Sequence, residues 1–149
     1  MNLASIERVE SILPITGCDN LVLLTASHWK SLVPKDLFQV GDLCVVIKSG
    51  AIIPKWGVLI GETPAGKYLK RNYYVVEKLY MKKHLSEALV LHPSIITYLN
   101  PGYVEGMRKP GQEIGDLLGL GFVDKVNKTF HFPKQNSISM DQNPTISHE

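Results

Sequence analysis

The stretch KLYMKKHLSEALV, residues 78–90, decides the fold. It interleaves Lys78, Lys82, Lys83 and His84 with Leu79, Tyr80, Met81 and Leu85. Wound as a basic amphipathic helix, it would place Leu79, Lys82, Lys83 and Ser86 on one side, which breaks the apolar stripe. Extended, it would line one face with Val76, Lys78, Tyr80 and Lys82 and the other with Val75, Glu77, Leu79 and Met81. The preceding YYVV, residues 73–76, is aromatic and β-branched, a composition that disfavours helix and suits a pleated surface. The spacing therefore predicts a strand, a turn around Lys83–Ser86, and a second short strand in ALVLH, ended by Pro93. One face then alternates Lys, Tyr, Lys, a pattern suited to clamping or stacking on nucleic acid.

The flanking segments agree with a β-rich chain. ASIERVESILPI alternates Ile6, Val9 (shifted by one), Ile12 and Ile15 with polar residues and stops at a turn made by Pro14, Gly17, Asp19 and Asn20. LVLLTASHWKSLV reads as one strand bent at Ala26–Ser27, and VPKDLFQVGD as a connection closed by the Gly41–Asp42 turn. LCVVIKSGAIIP is a continuous apolar run, predicting a strand covered on both sides. KWGVLIGETPAGKYLKRN has no clear period and reads as a long loop, with Trp56 exposed between Lys55 and Gly57. Five strands before residue 93, with glycine-rich turns and one long connection, point to a five-stranded barrel of the oligonucleotide-binding (OB) type. Beyond it, PSIITYLN predicts a short helix with Ser94 as its cap, and GQEIGDLLGLGFVDK a second one carrying Ile114, Leu117, Leu118 and Leu120. The mainly β domain with its accessory helices spans residues 1–125. Residues 126–149 read as a polar linker or tail, flexible at least beyond Lys134.

Composition bounds the function. At 149 residues and 44% hydrophobic, the chain can bury a core but has no run of about 20 apolar residues for a membrane span. MNLASIERVES lacks a basic-then-apolar leader, and Cys18 and Cys44 stand alone, which suits an intracellular, reducing compartment. Cys44 reads as a small buried hydrophobe. Histidines and cysteines have no ligand spacing, so no metal site is expected. The net charge of +2 hides an asymmetry: residues 1–60 carry five basic and five acidic groups, 61–109 eight and four, 110–149 three and five. A basic middle region is the footprint of a polyanion-binding surface. The candidate binding residues are Lys30, Lys48, Lys67, Lys70, Arg71, Lys78, Tyr80, Lys82 and Lys83; a solvated charged face is the plainer alternative. Trp29 reads as packing in the barrel or capping its end.

ILPITGCD (12–19), HWKSLV (28–33), FQVGDLCVVI (38–47), YMKKHLSEAL (80–89) and GQEIGDLLGL (111–120) occur in an order and spacing that resembles the N-terminal OB domain of ATP-dependent RNA ligases of the Deinococcus/Naegleria nick-sealing type. The resemblance covers residues 3–125. It departs from the family pattern K-x-R-G-Q-x-S-Q-G-L at the basic turn: Lys82 takes the Arg place, Lys83 the Gly place and His84 the Gln place, while Glu87-Ala88 replaces Gln-Gly. The resemblance implies a non-catalytic domain that helps engage nicked duplex RNA or RNA/DNA through phosphates and sugars. Its implied partner is a covalently linked ligase domain holding ATP and a divalent cation, to which the tail would lead.

Nucleotidyl transfer needs a lysine nucleophile in K-x-[DN]-G, and none of the lysines stands in that context. No Walker A loop or Ser-His-Asp constellation is present either. No cofactor is therefore expected in this chain itself. Two alternatives stay open. PITGCDNLVLLTA also resembles the start of tRNA-binding domains appended to synthetases, which would make this a free-standing RNA-binding OB module. IITYL and DLLGLGF could instead serve as the docking surface of a protein-interaction barrel.

Overall fold

The computed structural model describes residues 2–56, 69–70, 75–81, 83–124 and 129–132. Five strands form the barrel: β1 (Ala4–Ile15), β2 (Cys18–Ala26), β3 (Trp29–Pro34), β4 (Leu43–Lys48) and, after a long excursion, β10 (Ala88–Leu91). Their order is β10-β4-β1-β2-β3, and every ladder is antiparallel. The alternation makes β3 and β10, which meet where the sheet curls round, run parallel. This is the mainly β, nearly closed five-stranded barrel expected from the strand pattern.

β1 explains its own irregular alternation. Its first half, Ala4–Arg8, pairs with β4, and its second half, from Val9, pairs with β2. A register shift between Val9 and Ser11 separates the halves. A bulge of this kind switches which residues face inward and lets one strand bend round the barrel.

β4 is covered on both sides, as its apolar run predicts. Cys44 and Val46 pack inside the barrel with Val9, Leu24, Val33 and Phe38. Val45 and Ile47 face a second cluster with Ile6, Leu89, Ile96, Ile114 and Leu118. β10 alternates in the same way, with Ala88 and Val90 inward and Leu89 and Leu91 outward. The outer cluster is roofed by α1 (Ser94–Leu99) and by residues 114–120.

Several sequence expectations are corrected. LVLLTASHWKSLV is two strands, β2 and β3, because Ser27 turns the chain in the left-handed region at φ 56°. LCVVIKSGAIIP breaks at Gly50, φ 94°, giving β4 and the short β5 (Ala51–Ile52). Trp56 is not exposed: it is 8% accessible, and its indole N–H donates to the carbonyl of Leu118 at 2.6 Å. Burying the ring while satisfying its one polar group explains that placement. Ser94 is not the cap of α1; the imidazole Nδ1 of His92 accepts the Ser94 N–H at 3.1 Å instead. Residues 114–120 are a tight turn, with Leu120 N–H reaching Gly115 O at 3.0 Å, and not a helix. The apolar residues of IITYL and DLLGLGF mostly enter the core: Ile96, Leu118 and Leu120 are buried and Ile95, Leu99 and Leu117 pack against them.

A second sheet runs β12-β11-β5-β7-β6, built from β6 (Leu69–Lys70), β7 (Val75–Val76), β11 (Gly121–Asp124) and β12 (Thr129–His131). The sheet thus extends past residue 125, where the sequence reading ends the domain. No helix among the described residues is long and apolar enough to cross a membrane.

A Cβ on Gly121 would stand 2.7 Å from the Phe132 ring and still closer to the His131 carbonyl, whereas one on Gly102 meets nothing within 4 Å. Gly121→Ala should therefore lose roughly 1–3 kcal/mol in urea unfolding, and Gly102→Ala should stay within about 0.5 kcal/mol of the parent. Burial pushes the Cys44 thiol up to about 12. In the native protein, Ellman's reagent at pH 8 should titrate half-buried Cys18 alone, and both thiols after denaturation. Because the unfolded thiol ionises first, the Cys44 contribution to stability should fade as pH rises from about 9 towards 12.

Candidate nucleic-acid interface

The connection between β4 and β10, residues 49–87, carries most of the candidate basic residues. At its end stands a hairpin of β8 (Leu79–Met81) and β9 (His84–Ser86), with pairs Leu79–Ser86, Tyr80–Leu85 and Met81–His84. The expected long strand is interrupted. Val76 is buried and paired with Leu69 in the second sheet, whereas Tyr80 belongs to the hairpin and Lys78 lies in the break before it. The turn lies between Met81 and His84, so His84–Ser86 is strand and not turn. Lys83 occupies that turn at φ 66°. Left-handed backbone costs a non-glycine residue about 1–2 kcal/mol. Glycine stands at this place in the ligase pattern.

The hairpin has an inner and an outer face. Inward, Met81 packs against the Ile15, Leu23 and Leu32 cluster, and Ser86 is fully buried. Outward, Tyr80 is 69% and its cross-strand partner Leu85 43% accessible. Lys78 and Lys83 are exposed as well.

Side chains fasten this hairpin to the open edge of β3. Leu32 N–H donates to Ser86 Oγ at 2.9 Å, and Lys30 N–H donates to Glu87 Oε1 at 3.1 Å. Glu87 N–H returns a bond to Lys30 O at 2.8 Å. Two backbone donors that a regular strand neighbour would satisfy are thus satisfied by Ser86 and Glu87. Lys30 itself is exposed. Lys78 immediately precedes β8, and Glu87 immediately follows β9.

Next to this seam, Lys48 pairs with Ala88 and its Nζ sits 5.5 Å from the Trp29 ring centroid. Half-buried Trp29 also packs against the barrel cluster, with exposed His28 tilted against it at 4.6 Å. Packing at the barrel end is thus the role the geometry gives Trp29, and Lys48 is partly engaged by it. The seam accordingly gathers Lys30, Lys48 and Lys78, with Tyr80 and Lys83 along the hairpin. Lys70 lies apart, in β6 of the second sheet. Lys67, Arg71 and Lys82 lie outside the described residues. Sequence reasoning missed Ser86 and Glu87 as the fastening pair, and Leu85 as the exposed partner of Tyr80.

Among the described residues no group of His, Cys, Asp or Glu could hold a metal ion. What the patch offers is cations, one aromatic face and a rigid backing, which suit phosphates and sugars more than base edges.

Residues 3–92 match the profile of an OB-fold domain family. The chain belongs to that family. In OB folds generally, oligonucleotides bind over strands 2–3 and the loop joining strands 4 and 5, which here are β2–β3 and residues 49–87. No curated protein matches the sequence. Among solved structures, the chain is similar to the RNA ligase of Naegleria gruberi. The structure with PPi shares 18% identity at TM-score 0.62, over 83% of this chain and 36% of that one. A mutant with ATP and Mn gives 18% and 0.64 over the same shares, and an apo mutant 20% and 0.62 over 83% and 35%. This chain therefore spans about a third of the ligase's length, and likeness at that identity establishes the fold.

Two substitutions separate fastening from binding. Ser86→Ala strands the buried Leu32 N–H and should cost roughly 1–3 kcal/mol in urea unfolding. Lys83→Gly should relieve the left-handed turn and stabilise by about 1 kcal/mol, while weakening any polyanion the hairpin holds.

Proposed function

We propose that this chain is a nucleic-acid-binding domain of an ATP-dependent RNA ligase and helps engage 3′-OH/5′-phosphate nicked duplexes, RNA or RNA/DNA, through the sugar-phosphate backbone. One observation carries the reading: exposed Lys30, Lys78 and Lys83, with Tyr80, stand on the face and connection that OB folds use for oligonucleotides. The ligase likeness in fold, and the order of motifs along residues 3–125, supply the enzymatic context.

The chemistry fits a strand-sealing enzyme. Such an enzyme must ignore base sequence, and lysines on phosphate oxygens give affinity and orientation without reading bases. Bases of a nicked duplex are paired, so Tyr80 contributes less by stacking than the lysines do by charge. ATP, the divalent cation and the lysine nucleophile belong, in this reading, to a covalently linked nucleotidyltransferase domain. Here the chain's own residues bind and orient, and transfer nothing.

Each phosphate contact removed should reduce the salt dependence of binding. Lys30→Ala and Lys78→Ala should each weaken binding of a nicked RNA duplex and lower the slope of log K against log salt by about one. Fluorescence anisotropy across a salt series measures both. Lys35→Ala is the control, because Lys35 lies about 16 Å along the chain from Lys30, past the far end of β3. Equal effects of all three variants, or affinity that does not fall with salt, contradict the proposal.

A further inference from the structure

The basic patch has a carboxylate built into its centre. Glu87 is half-buried, and its Oε1 accepts the Lys30 backbone N–H at 3.1 Å while its own N–H binds Lys30 O at 2.8 Å. The reciprocal bonds fix the carboxylate beside the Lys30 backbone, and Glu87 follows β9 where Lys78 precedes the paired β8. Only the acceptor oxygen is needed for the fastening. A neutral glutamine amide presents an acceptor oxygen at the same place and would keep this solvent-exposed bond, without its charge assistance. The hydrogen bond does not itself require the negative charge, which stands beside exposed Lys30.

We propose that Glu87 is a charge brake on the phosphate-binding face: a fixed carboxylate that repels the backbone held by Lys30 and Lys78 and keeps the domain's grip weak. This rests on the nucleic-acid reading above. A phosphate drawn to Lys30 would approach the carboxylate that holds the Lys30 N–H. At about 5 Å, one unit charge changes affinity several-fold in a water-like dielectric. A domain that holds duplex without reading sequence gains from such a brake, because a weaker grip shortens its residence on duplex. Glu87 is thus a positioning residue with two separable parts. Its oxygen holds Lys30 in place, and its charge sets how tightly the patch binds.

Three variants of the full chain separate the parts, each measured by thermal unfolding and by anisotropy with a nicked RNA duplex. Glu87→Gln should leave Tm unchanged and tighten binding about threefold to tenfold near 50 mM salt, with the gain shrinking towards 0.5 M as screening sets in. Glu87→Ala, which removes the acceptor as well, should lower Tm. Glu105→Gln makes the same change in net charge on the exposed 3₁₀ turn at Glu105–Met107 and should leave affinity unchanged. Unchanged or weaker binding by Glu87→Gln at unchanged Tm overturns the brake while leaving the nucleic-acid reading intact. So does an equal gain from Glu105→Gln. A lower Tm for Glu87→Gln overturns the claim that the hydrogen bond does not require the charge. If wild type and Glu87→Gln both fail to bind duplex at any salt, the nucleic-acid reading falls and the brake with it.

Discussion

The open edge of β3 is the constraint on which the rest of the structure depends. Four antiparallel ladders curl the sheet until β3 and β10 meet as parallel neighbours, and the backbone N–H groups of Lys30 and Leu32 point into that gap. The Leu32 donor is buried, where an unsatisfied N–H costs about 1–3 kcal/mol, while the Lys30 donor is solvent-exposed. Ser86 and Glu87 supply the missing acceptors with their side chains, so the barrel closes through two residues of the incoming connection. That choice fixes where the hairpin lies, and the hairpin fixes where the basic residues lie. Stability and the candidate site share one seam.

Sharing has consequences for what the site can be. A patch on a free loop would be mobile; this one is backed by Met81 on the Leu32 cluster and by Trp29 at the barrel end. Rigid cations recognise a regular polyanion at little ordering cost. The strained Lys83 turn and the outward Tyr80–Leu85 pair fit the same picture: local order is given up where a ligand would be met. Of the segments named for a docking barrel, Ile96, Leu118 and Leu120 lie in the core while Tyr98 stays exposed.

Most of the barrel was legible in the sequence, because strands covered on one or both faces advertise their period. β4 and β10 read as apolar runs, and the bulge in β1 showed as a slip in alternation. Legibility failed where a turn carries no glycine, as at Ser27, and where a short break carries no proline, as at Glu77–Lys78 between β7 and β8. Leucine spacing suggested a helix at 114–120, but the chain makes a single turn there, ended at Gly119 (φ 69°) by the Leu120 N–H to Gly115 O bond. Thr129–His131 fell in the segment read as linker or tail, yet it pairs with β11 as an edge strand, which needs little apolar surface. In the site, exposed Leu85 beside buried Ser86 reverses what hydropathy expects. Only the tight turn after Met81 sets that register, and it follows from pairing and not from composition.

The location of the interface is the central claim, and amide chemical-shift mapping tests it most directly. The N–H groups of Lys30 and Leu32 report on the seam, and those of Lys78 to Leu85 on the hairpin. On titration with a nicked RNA duplex, the account predicts shifts concentrated on these residues and on Glu87, with Lys35 and the exposed Tyr98, Val104 and Met107 unmoved. Shifts centred on Tyr98, Val104 and Met107, with the seam and hairpin silent, would contradict it.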